Sequence, residues 1–121
     1  MSAQTPTART LAEWMAAAPR GPRRDGIFAL WLTVRVIEDL ANQGPTVERA
    51  FRRRVGLLDQ RLSSLALPIP LRRGLTGVLS RLKEAGRGDA GSLLQLLGAA
   101  AREAIGPEAV DLFQRAARAL R

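Results

Sequence analysis

Residues 25–43 read DGIFALWLTVRVIEDLANQ, and the placing of their apolar side chains decides the fold. Ile27, Leu30, Trp31, Val34, Ile37, Leu40 and Ala41 recur at spacings of three and four, the period of one face of an α-helix rather than of a strand. Gly44 and Pro45 end this helix, Thr46 is placed to cap the next, and Glu48 falls in its first turn. From Val47 the same period returns. Val47, Phe51, Val55, Leu58, Leu62 and Leu65 share one face, with Arg49, Arg52, Arg53 and Asp59 mostly away from it.

Further along, Leu67-Pro68-Ile69-Pro70 predicts a rigid elbow, because each proline biases the residue before it out of the α region. A helix is expected from Leu71 to about Ala85, with Leu75, Val78, Leu79 and Leu82 inward. Gly86-Arg87-Gly88 breaks it and Asp89 is placed to cap an Ala/Leu-rich helix from Ser92 to Ile105. Gly106 and Pro107 separate that helix from the last one, whose stripe is Val110, Phe113, Ala117 and Leu120. Upstream of the opening stretch, residues 1–9 read as a flexible tail. Thr10 and Glu13 suggest a capping box for a short helix from Leu11 to Ala18, and residues 19–24 form a Pro/Gly/Arg linker. No segment alternates as a strand does, and no repeat at a period of roughly 20–50 residues stands out.

The expectation is an all-α chain: a compact bundle of about five helices over residues 25–121, preceded by a short N-terminal helical arm within residues 10–24. A length of 121 residues suits one domain, and 46% hydrophobic with 25% charged residues is an ordinary globular balance. The longest apolar stretch, Ile27 to Leu40, is interrupted by Arg35, Glu38 and Asp39, so no membrane span is expected. The polar N-terminus lacks the basic-then-apolar order of a secretory signal, which makes the cytoplasm the expected compartment.

The residue inventory narrows the chemistry. Cysteine, histidine and tyrosine are all absent, which removes thiolate metal sites, thiol nucleophiles and the commonest general base near neutral pH. No enzyme activity and no cofactor are expected. The carboxylates Glu38 and Asp39 diverge by about 100° around a helix and do not converge on one site. Glu103 lies beside Arg102, and Asp111 falls in the first turns of the last helix, where it favours the dipole. Gly86, Gly88 and Gly91, with Asp111 further on, formally match a dinucleotide fingerprint. That motif needs a strand before it and a βαβ unit around it, whereas a helix precedes these glycines, so they read as a helix stop.

What remains is binding. Eighteen arginines, one lysine (Lys83) and eleven acids give a net charge of +8, which favours acidic partners. The scarcity of lysine fits a G+C-rich coding bias, so arginine usage by itself is no sign of phosphate recognition. Two surfaces are candidates. The first is the apolar edge of the arm, Leu11, Trp14 and Met15, which either folds onto its own bundle or anchors in a partner's groove. The second is a basic face built from Arg49, Arg52 and Arg53, joined by Arg72 and Arg73 if the two helices pair about the Leu67–Pro70 elbow. That face suits an acidic protein surface or, as the alternative, nucleic acid, although no aromatic shares this face with the arginines to stack on bases, Phe51 falling on the apolar side. A membrane surface is the weakest candidate, because the apolar stripe of this helix is needed for the core. The function expected is a helical protein-interaction module, an adaptor, assembly factor or small accessory subunit, whose partner is another protein or a second copy of the chain.

Overall fold

The computed structural model describes residues 5–43 and 48–120. Among them are the helices α1 (Pro6–Ala17), α2 (Pro22–Gln43), α3 (Glu48–Ser63), α4 (Ile69–Leu82), α5 (Ala90–Ala104) and α6 (Pro107–Ala119), with a 3-10 turn at Arg87–Asp89 before α5. The described residues contain no strand, and the protein is all-α. None of these helices is long and apolar enough to cross a membrane.

The N-terminal segment starts earlier than its sequence signals imply. Thr5, not Thr10, is the N-cap of α1: its hydroxyl accepts a hydrogen bond from the Ala8 N–H at 3.2 Å, and Pro6 takes the first turn, where its missing N–H costs nothing. Pro6 to Arg9, expected as tail, are therefore helical, and the Thr10 hydroxyl instead donates to the Pro6 carbonyl inside the helix at 2.9 Å. The connection to α2 is correspondingly short. Ala18 turns extended ahead of Pro19, Gly21 takes a φ of 146° that a side chain would resist, and α2 begins at Pro22 rather than Asp25. Arg23, expected in the linker, lies in the first turn of α2 and donates to the Ile105 carbonyl just beyond α5 at 3.5 Å. Across this tight corner α1 folds back on α2, and Leu11 sits in the same core as Ile27, Leu30 and Phe113.

The core lies between α2 and α5. Helix α2 is buried on more than one face, with Ala29 and Val36 inside as well as the predicted Ile27, Leu30, Val34, Ile37 and Leu40. The hydroxyl of Thr33 is satisfied within the helix by the Ala29 carbonyl at 2.8 Å, which lets a polar residue sit fully buried there. Helix α5 contributes Leu93, Leu94, Leu97 and Ala101 and packs against α2, α4 and α6. Helix α4 brings Leu71, Leu75, Val78, Leu79 and Leu82, and α6 brings Ala109, Leu112, Phe113 and Ala117. Helix α3 lies at the periphery, with Val55, Leu58 and Leu62 buried and its contacts made mainly to α2 and α4.

Several local expectations shift. Trp31, predicted as core, is only half-buried, as are Phe51, Leu65, Ala41 and Val110, while Leu120 at the end of α6 is exposed. The elbow is shorter than Leu67–Pro70, because Pro70 is accommodated in the first turn of α4, and the Arg72 guanidinium braces it by donating to the Leu65 carbonyl at 2.7 Å. Asp89 does not cap α5 with its side chain. Its carboxylate reaches back to accept the Gly86 N–H at 2.8 Å and closes the 3-10 turn instead. The predicted cap Thr46 and the predicted core residue Val47 lie outside the described residues.

Candidate functional site

Helix α2 is too long and too central to be covered on every side. Its uncovered strip carries Phe28, Trp31, Leu32 and Arg35, which the helical period places on one side. Facing it, α3 presents Arg54, Leu57, Leu58 and Arg61, again one side of a helix. Between the two runs a shallow, open groove of ≈ 480 Å³.

Aromatic and cationic groups alternate across it. The rings of Phe28 and Trp31 stack with centroids 6.1 Å apart and planes inclined by 18°. The Arg35 guanidinium lies over the Trp31 ring, 4.8 Å from its centroid, and that of Arg61 reaches over Phe28 at 5.6 Å. Each such contact contributes about 0.5–1 kcal/mol at an exposed site, enough to orient the guanidinium without neutralising it. Arg54 forms an ion pair with Asp39 at the edge of the groove. Leu57 projects with 59% of its surface exposed, a large apolar side chain that its own fold leaves uncovered. The Trp31 indole nitrogen is buried with no acceptor among the described residues, at a local cost of about 1–3 kcal/mol.

The residues singled out from sequence are distributed differently. Leu11 is 0% exposed and covered by its own chain, while Trp14 and Met15 are half-buried against the same core. Of that apolar edge, what faces outward is the remaining surface of Trp14 and Met15, beside the exposed Arg9, Glu13, Ala16 and Ala17. Arg49, Arg52 and Arg53 are exposed on α3, and Arg72 and Arg73 on α4. Helices α3 and α4 do touch across the elbow, but Arg72 is turned onto the Leu65 carbonyl.

The groove is not legible in the sequence. Arg54 and Arg61 belong to the arginine-rich helix and Trp31 to the apolar stripe of residues 25–43, but nothing in either segment says that they meet. The one local signal was the spacing of Phe28, Trp31, Leu32 and Arg35, a second amphipathic edge beside the core stripe. Among the described residues no three or more Asp or Glu side chains gather as metal ligands would. The chain matches no family model, no curated protein and no solved structure.

Proposed function

We propose that this protein is a non-enzymatic interaction module, an adaptor or accessory subunit that takes an acidic, apolar-anchored segment of another protein into the groove between α2 and α3. The observation that carries this reading is the meeting there of two aromatic rings, three arginines and the exposed Leu57 from separate helices. Aromatic and arginine side chains are the groups that dominate protein interfaces, and an amphipathic helix laid in a groove uses apolar anchors spaced as these are. Carboxylates flanking such anchors would meet Arg35 and Arg61, which have no carboxylate ion pair among the described residues. A second copy of the chain is a poorer occupant, because two molecules of net charge +8 repel.

The exposed Arg49, Arg52 and Arg53 favour nucleic acid as a second reading. Against it, Phe28 and Trp31 are already engaged by each other and by the guanidinium groups of Arg61 and Arg35, which leaves less ring face for a base.

The test uses a helical peptide with leucines on one face and flanking glutamates, followed by Trp31 fluorescence in the Trp14→Phe chain. Saturable binding is expected, weakening with salt and falling about tenfold in Leu57→Ser or Arg61→Glu. Equal binding of a peptide with lysine at every glutamate would refute the reading. If the peptide does not bind, but an oligonucleotide is retarded at low salt and released by changing Arg49, Arg52 and Arg53 to Ala, the nucleic-acid reading replaces it.

A further inference from the structure

A second concavity lies on another side of the molecule, where α1 and α6 diverge. It holds ≈ 370 Å³ and is floored by Glu38 of α2 and Leu94 of α5. The N-terminal turns of α1 and Trp14 form one wall, and Leu112 and Ala116 of α6, with Leu120 just beyond it, form the other. A cavity of this size, mainly apolar with a few polar side chains in its lining, has the make-up of a small-molecule site.

Glu38 sets what such a molecule must be. It is half-buried, and the Thr5 side chain, already the cap of α1, favours the charged form of its carboxyl group. That leaves most of the lone-pair positions of the carboxylate open. The nearest charges along its own helix are Arg35 and Asp39, which act on it in opposite directions. The arginine that lines the cleft, Arg115, is paired with Asp111 at 3.0 Å. Glu38 therefore has no ion-pair partner among the described residues. Trp14, on the facing wall, supplies an aromatic ring, the group that best complements a cation alongside a carboxylate.

We propose that the α1–α6 cleft binds a small organic ammonium ion with an apolar body, its nitrogen on Glu38 and its body against Trp14, Leu112 and Leu120. Burial pushes the Glu38 carboxyl above its ordinary value of 4.5, and an ammonium ion seated on it would favour the charged form again. The net positive charge of the chain would attract an organic anion more readily, but among the described residues that line this cleft the charge without an ion pair is the carboxylate of Glu38.

The probe is 2-phenylethylamine, titrated into the full chain by calorimetry and, in the Trp31→Phe chain, by fluorescence of Trp14 as the sole indole. Calorimetry on the unaltered chain keeps the comparison sound if the Trp31 substitution disturbs folding. Saturable binding is expected, about tenfold weaker in Glu38→Gln with unchanged helicity, and about tenfold weaker for 3-phenylpropionate, which carries the opposite charge on a similar body. Absence of saturation at millimolar amine, equal affinity in Glu38→Gln, or equal affinity for the carboxylate each overturns the proposal.

Discussion

Two glycines one turn apart in α4 should respond to alanine with opposite signs. A Cβ added at Gly74 would stand 2.3 Å from Ala100 Cβ and 3.2 Å from Ala100 Cα in α5, whereas a Cβ at Gly77 would meet nothing within 4 Å. Helix propensity alone favours alanine at either position by about 1 kcal/mol. At Gly77 nothing opposes that gain, so Gly77→Ala should stabilise by about this amount. At Gly74 the helices must part by about 1 Å to restore ordinary contact, and a gap of that size forfeits a quarter to a half of the dispersion energy along the seam. The close atom on α5 is a Cβ fixed to its backbone, with the Cα behind it, so rotation of a side chain cannot relieve the clash. Overpacking of this kind costs about 1–3 kcal/mol, and the upper half of that range fits because α5 is the main support of α4. Gly74→Ala should thus lose about 1–2 kcal/mol net, lowering Tm by roughly 4–8 °C for a domain of this size. Urea denaturation of Gly74→Ala, Ala100→Gly and the double variant supplies the check. Removing the Ala100 methyl should recover at least about 1 kcal/mol of the loss as a coupling energy. Stabilisation by Gly74→Ala equal to that at Gly77, with no coupling to Ala100, would show that the α4–α5 seam is not as described.

Two further outcomes follow from burial. Leu11→Ala should destabilise by about 2–5 kcal/mol in thermal or denaturant unfolding, as for any fully buried leucine, because α1 contributes to the common core; a change under about 0.5 kcal/mol would mean that the helix is detachable. Glu38 carries the pH dependence: its carboxyl is raised in the fold by burial, partly opposed by Thr5 and Arg35, so the stability it confers is full below its ordinary value of 4.5 and is lost as pH rises through the folded value. The Tm of Glu38→Gln relative to the unaltered chain should therefore climb between pH 4 and pH 7, and a flat or falling difference contradicts the assignment.

The sequence by itself determined that the described chain is helical and where most helices stop. Spacings of three and four pick out Ile27–Leu40 and Val55–Leu62, and Pro19, Pro68 and Pro107 sit at boundaries that no helix interior crosses. These are local matters, fixed by φ restriction, missing donors and one-dimensional period. The start of α1 is ambiguous in sequence because Thr5 and Thr10 are both competent caps, and the packing of Thr7 and Ala8 against the bundle favours the earlier one. Tertiary structure decided everything that depends on what stands opposite a helix face. Trp31 belongs to the apolar stripe by period, yet it ends half-exposed because α3 lies too far toward the rim to cover it. Arg54 and Arg61 are ordinary members of a basic helix until Phe28, Asp39 and Trp31 of α2 are set beside them. Gly74 and Gly77 are the same residue in the same helix, and only the approach of Ala100 separates them. Period gives the direction in which a side chain points; the neighbour it meets is set by long-range packing, and both the groove and the cleft are made of such meetings.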